Sequence, residues 1–305
     1  MFDPITSPHN PLLKSVIRLK ESRFRRKEGL FLVDGIREIQ RAYSSSFQLT
    51  KVFFDYDVLI GNCSKSRSAN QLLEHLHLQG DVGSFLKKLD SQGIPLVPTS
   101  SAAFSKIAFG DRNEGLVAVV RARTMSLETL SSFFAKKLSE SSETPLLGVL
   151  EGVEKPGNVG AILRSADGAG IDALLIAADD YDVFNPNAIR ASLGAIFHIP
   201  VVVAPATKIL EWLRENLFQR VTALCDESVS YLQPDYRRPT AIILGSEAYG
   251  LTTVWSTTTE IDNREALLTK IRLPMLGVAD SLNVSNAAAI LFYEARRVRS
   301  TSEDR

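Results

Sequence analysis

From Pro145 onward the sequence alternates short apolar runs with helical patterns, and this alternation constrains the fold more than any other feature. The runs are Leu146–Leu150, Ala173–Ala177, Pro200–Ala204, Val221–Cys225, Ala241–Leu244 and Ile271–Leu273, with helical spacing over 159–169, 187–195, 207–218 and 284–299. Strands joined by helical crossovers pair in parallel and need helices on both faces. Residues 145–305 are therefore expected to form a doubly wound α/β domain with a parallel sheet. Such sheets bind ligands beyond the carboxyl ends of their strands.

The preceding residues read differently. Leu12, Leu13, Val16 and Ile17 have helical spacing after Asn10, and Leu30–Val33, Lys51–Ile60 and Gly115–Val120 are β-rich. Together they predict a small mixed α/β domain over 1–123. The amphipathic LETLSSFFAKKL and the polar SESSET mark 124–144 as a linker helix.

The 35 basic and 35 acidic residues balance over the chain, but 1–123 holds 18 basic against 12 acidic, and 124–305 holds 17 against 23. The first part thus suits a polyanion. Its densest run is Lys14, Arg18, Lys20, Arg23, Arg25, Arg26 and Lys27, with Glu21 the only acid among them and Phe24 interleaved. Most charge runs are solvated helix faces. This density favours phosphate contact, with Phe24 available to stack on an unpaired base.

Cys63 and Cys225 form no disulfide or ligand spacing, and His9, His75, His77 and His198 show no metal pattern, so no metal is expected. The acidic Asp179, Asp180 and Asp182 read as a polar turn. No secretory signal or run of about 18 apolar residues is visible, so a cytoplasmic protein away from membranes is expected.

Three loops directly after strands concentrate polar and glycine residues. In EGVEKPGNVGAILRSADGAG, Gly152, Gly157 and Gly160 loosen the chain, Asn158 sits at a helix start, and Ala161, Ser165 and Gly168 share a small-residue face, with Arg164 off it. In ILGSEAYGL, Gly245 and Gly250 bracket Glu247. In IRLPMLGVADSLNVSNAAAI, Ser281, Asn283, Ser285 and Asn286 make a polar entry to an apolar helix, with Ser281 able to cap it. Taken singly, each also fits a tight turn or a capped core helix. The glycines do not follow the GxGxxG spacing of a dinucleotide site, which disfavours a Rossmann oxidoreductase.

Taken together, the three segments resemble the ordered motifs of the SpoU/TrmH family of RNA ribose 2′-O-methyltransferases, in the SPOUT superfamily. LPM followed by SLNVS carries the most specific part of that likeness. ITSPHNPLLKSVIRL and RRKEGLFLVDGIREIQRA resemble the substrate-binding domain that precedes the catalytic domain in many members. The resemblance implies a C-terminal trefoil knot, a homodimer and S-adenosylmethionine as methyl donor. It assigns cofactor contacts to Gly245, Leu273 and Leu282, and active-site roles to Asn158, Arg164, Glu247, Ser281 and Asn283. Arg190 falls on a family segment that lines the site, giving it a potential RNA contact. Ala248 departs from the pattern, standing where the second motif usually has glycine.

The implied reaction is methyl transfer to a ribose hydroxyl, which must be positioned and relieved of its proton. No histidine lies in the motifs, and a guanidinium keeps its proton in proteins. Arg164 is therefore read as an electrostatic orienter, with an RNA phosphate or water as proton acceptor. Asn158 would hold the ribose, and Glu247 and Ser281 would orient Arg164 and the loops. Ribosomal RNA is the expected substrate. Transfer RNA is the nearest rival, and a non-catalytic RNA-binding protein of the same fold is the alternative from another class.

Overall fold

Packing divides the computed structural model, in which residues 4–60, 80–109, 114–140, 143–224, 229–246, 250–256 and 268–300 are described, into two units. The first comprises Met1–Arg123 and Phe184–Phe197, the second Thr124–Val183 and His198–Arg305.

In the first unit, β1 (Leu30–Asp34), β2 (Leu49–Asp55), β3 (Leu96–Thr99) and β4 (Leu116–Arg121) form a mixed sheet in the order β1-β4-β2-β3. β4 runs antiparallel to both neighbours, and β2 is parallel to β3. The strand expected over Lys51–Ile60 stops at Asp55, whose Oδ1 accepts the amides of Asp57 and Val58 at 3.1 and 3.3 Å. By satisfying amides that a strand would send to a neighbour, this carboxylate starts the short helix Tyr56–Ile60 instead. β3 escaped the sequence reading because it is short and carries Pro98, which an edge strand tolerates.

The helix Pro186–Ala191, read from the sequence as part of the second domain, packs in the first unit. Phe184 stacks on Phe31 with ring centroids 4.2 Å apart, and Phe197 meets Phe47 edge-on at 5.2 Å. Arg190 lies here too, its Nη1 donating to the Phe109 carbonyl at 2.6 Å.

The second unit carries β5 (Leu146–Glu151), β6 (Ala173–Ala177), β7 (Val201–Ala204), β8 (Gln219–Ala223), β9 (Val229–Ser230), β10 (Thr240–Leu244) and β11 (Leu268–Arg272). They form a parallel seven-stranded sheet in the order β7-β6-β5-β10-β8-β11-β9. β5, β6 and β10 are buried at every position, as parallel strands covered on both faces must be. The helix Leu127–Glu140, expected as a linker, belongs to this core: Leu130 and Phe134 pack with Trp212 and Phe218, and Trp212 Nε1 donates to Ser131 Oγ at 2.8 Å. Arg299 gathers the carbonyls of Tyr236 and Arg238 at 2.6 and 2.8 Å, with those of Thr144 and Pro145, and so ties loops together. Among the described residues no cluster could hold a metal ion, and no helix is long and apolar enough to cross a membrane.

One buried charge gives the first unit a pH response. Asp34 Oδ2 accepts the Phe109 amide at 2.6 Å, and Lys20 Nζ donates to the neighbouring Ala108 carbonyl at 2.8 Å. Burial pushes the Asp34 carboxyl from the ordinary 3.8 up to about 6, against the pull of the Phe109 amide, Arg190 and Lys20 and with a further push from Glu114. The folded state therefore holds this proton more tightly than the unfolded chain does. The stability it contributes is full below about pH 4 and lost as pH rises through about 6. We expect Asp34→Asn to remove that fall. Denaturant titrations at pH 4, 5, 6 and 7 should show the variant gaining on the wild type with rising pH, and a constant difference would refute the assignment.

Candidate active site

The site is built where β5 and β10 end together. Their parallel register sets Leu150 opposite Leu244, so Glu151 and Gly245 leave the sheet side by side. Past Gly245, Ser246 and Gly250 are bridged: the Ser246 amide donates to the Gly250 carbonyl at 3.1 Å, and the Gly250 amide donates to the Ser246 carbonyl at 3.0 Å. Gly245 has no room for a side chain, since a Cβ there would lie 2.3 Å from the Gly250 carbonyl carbon and 2.4 Å from its oxygen. Gly152, at φ +65°, brings the loop after β5 against the same bridged pair, 3.2 Å from Ser246 Cβ to where its own Cβ would stand. Glu247 and Ala248 lie outside the described residues.

The third segment meets the first at a pair of asparagines. Asn283, not Ser281, caps the helix Val284–Arg299, its Oδ1 accepting from the Ser285 amide at 2.9 Å and the Ser285 hydroxyl at 2.5 Å. Its Nδ2 then donates to Asn158 Oδ1 at 3.4 Å, joining residues 125 positions apart. Asn158 sits inside the first turn of Pro156–Ala169, a helix that begins with Pro156 and is preceded by Lys155, so it is a helical residue and not the cap. The two helices approach closely where the sequence is smallest: a Cβ on Gly168 would lie 2.7 Å from the Tyr293 hydroxyl. Arg164 is exposed on the first of them, and no ion pair among the described residues engages it. Ser281 is exposed; Gly245, Leu273 and Leu282 are half-buried. Leu276 and Val278 stand in solvent at 98% and 105% exposure.

These residues fit a ligand held mainly through backbone groups. Glycines at 152, 245 and 250 strip side chains from two adjoining loops, and amide and hydroxyl groups from Asn158, Ser281 and Asn283 supply neutral donors and acceptors. The sequence reading missed Glu151. This buried carboxylate accepts the Thr252 amide at 2.7 Å and the Thr252 hydroxyl at 2.8 Å. An acid ending an otherwise apolar strand was the available signal.

The basic run of the first unit divides in two. Lys14, Arg18, Arg23, Arg26 and Lys27 are exposed. Phe24 is half-buried, with the Arg18 and Arg23 guanidiniums 5.6 and 4.6 Å from its ring centre, and Arg23 pairs with Glu21 at 2.9 Å. Lys20 and Arg25 are spent internally. Lys20 holds Ala108, and the buried Arg25 donates through Nη1 to the carbonyls of Leu19 and Lys20, each at 2.7 Å. Counting Arg190, three of these cations bond backbone carbonyls, which amphipathic spacing does not reveal.

A family model described as the SpoU rRNA methylase family matches residues 145–293, and one described as an MRM3-like substrate-binding domain matches 10–118. The chain is 33% identical over 220 residues to the 23S rRNA (guanosine-2′-O-)-methyltransferase RlmB of Ralstonia nicotianae, covering 71% of this chain and 82% of that one. It is 27% identical over 282 residues to the 23S rRNA (uridine(2479)-2′-O)-methyltransferase of Streptomyces viridochromogenes, covering 90% and 85%. A crystal structure of an RNA 2′-O ribose methyltransferase aligns over 97% of this chain and 99% of its own, with a TM-score of 0.72 and 31% identity.

The bridged pair makes its own prediction. Gly245→Ala forces backbone apart and should cost about 1–3 kcal/mol, whereas Gly157→Ala, with nothing within 4 Å of the added carbon, should be close to neutral. Denaturant unfolding of both variants against the wild type checks the contrast; equal midpoints would mean the bridged pair relaxes freely.

Proposed function

The chain belongs to the SpoU rRNA methylase family, and from that membership we propose that it transfers a methyl group from S-adenosylmethionine to a ribose 2′-hydroxyl of ribosomal RNA. The observation that carries the reading is the meeting of the family's first and third motifs, Asn283 bonded to Asn158, with Gly152 ahead of the first motif's helix packed against Ser246 of the second. Relatives that cover 90% and 71% of this chain carry names of 23S rRNA 2′-O-methyltransferases, while others that cover 96% and 77% carry names of tRNA/rRNA methyltransferases; the names that specify one RNA favour ribosomal over transfer RNA. Work on that substrate belongs in the cytoplasm.

When bound, the sulfonium donor supplies an electrophilic methyl and a neutral leaving group. The chain's own task is to hold the nucleophile. Gly245, Leu273 and Leu282 line the loops that would cradle the donor, mainly through backbone groups. Exposed Arg164 orients the hydroxyl and its neighbouring phosphate, bringing positive charge to the oxygen as it loses its proton to phosphate or water. Asn158 fixes the ribose, while Asn283 holds Asn158 in place. Glu247 and Ser281 steer Arg164 and the loops. The reading extends to the trefoil knot and the homodimer of the family. Half-exposed Ile290 and Tyr293 on the last helix offer apolar surface for a second copy.

RNA capture falls to the first unit, at the exposed part of its basic run. Replacing Arg18, Arg26 and Lys27 with glutamine should weaken binding of ribosomal RNA and shallow its salt dependence. Filter binding at two or three salt concentrations tests this, and an unchanged slope would clear these residues of phosphate contact. For catalysis, Arg164→Ala should lower single-turnover methyl transfer by about 100-fold or more, with donor binding by calorimetry left intact. The assay uses ribosomal RNA from a strain lacking the gene, with 2′-O-methyl mapping as readout; near-normal transfer would remove Arg164 from the mechanism.

A further inference from the structure

The geometry points to Glu151 as a positioning residue that sets the second motif's loop for the methyl donor, an inference that rests on the proposed methyltransferase reading. Glu151 ends β5, and its side chain turns neither to solvent nor, among the described residues, to a basic partner; both carboxylate oxygens go to one residue, Thr252. Thr252 lies two positions beyond Gly250, which closes the bridge with Ser246, and three before Trp255, which is buried in the core. The bridged pair Ser246 and Gly250 thus lies between β10 on one side and the Glu151-bonded Thr252 on the other. The next residue, Gly152, presses against Ser246 from the first motif's loop. One carboxylate therefore fixes the relative placement of the two loops that deliver Gly245 and Asn158.

The two bonds differ in what they demand. The Thr252 amide needs an acceptor, while the Thr252 hydroxyl can donate to a carboxylate or accept from an amide nitrogen. A brace is therefore indifferent to the charge of residue 151, provided that both positions remain hydrogen-bonded. A proton-transfer role would not be.

Three variants, compared as full-length protein, separate these cases. Glu151→Ala should weaken S-adenosylmethionine binding, measured by calorimetry, by about tenfold or more, and raise the KM for the donor with little change in that for RNA. Glu151→Gln should rescue most of that loss, and Thr252→Val, which keeps the amide bond, should fall between. Hydrogen exchange should show faster exchange over 250–256 in the alanine variant and near-native protection in the glutamine variant. Donor binding unchanged in Glu151→Ala would overturn the proposal, as would a glutamine variant as impaired as alanine, which would assign a charge-dependent role instead. If alanine abolishes folding, the glutamine and valine variants decide by the same criteria. A wild-type chain that binds no donor would instead sink the methyltransferase reading and this inference with it, an outcome distinct from failure of the brace alone.

Discussion

Everything at the site depends on the parallel pairing of β5 with β10. In sequence these strands are almost a hundred residues apart, yet their register places Leu150 against Leu244 and so ends both at the same height. Parallel strands at the centre of a sheet are buried on both faces. Only the residues immediately past their ends can combine backbone freedom with access to solvent. Gly152, Gly245 and Ser246 occupy that position, next to the buried Glu151 that ends β5, and the tight packing there follows from two chains leaving one edge with little space between.

The helices then complete what the strands begin. Pro156–Ala169 and Val284–Arg299 pack closely, Gly168 leaving the room that the Tyr293 hydroxyl fills. Their N-terminal turns meet as a result, and the two asparagines come within hydrogen-bonding distance. The polar entry to the last helix thus does two things: Asn283 caps its own helix through Oδ1 and reaches the other through Nδ2. Arg164, further along its helix, is left facing solvent, where a charged substrate can reach it.

Much of this was legible in the sequence because the relevant signals are local. Alternation of strand and helix gave the parallel sheet, and glycines and polar residues after strands marked the loops. What was not legible depends on distant partners. Nothing in LETLSSFFAKKL announces that Phe134 will meet Trp212, and nothing in the basic run tells Lys20 and Arg25, which bond backbone carbonyls, from Arg18 and Lys27, which are exposed. Asp55 ending a strand and starting a helix is a local event that overrides the β-rich pattern around it. Glu151 was passed over because its role lies in Thr252, a hundred and one positions away.

The segment Phe184–Phe197 leaves the second unit's strand succession and lends Phe184 and Phe197 to the aromatic cluster around Phe31 and Phe47. The first unit is therefore discontinuous in the gene. A fragment cut after Arg123 would strip both rings, Phe184 and Phe197, from their stacking on Phe31 and leave a sticky, incompletely filled hollow. For the same reason this unit cannot be transplanted as a cassette onto another enzyme: its fourteen borrowed residues have to travel with it, still attached at both ends to the chain they interrupt.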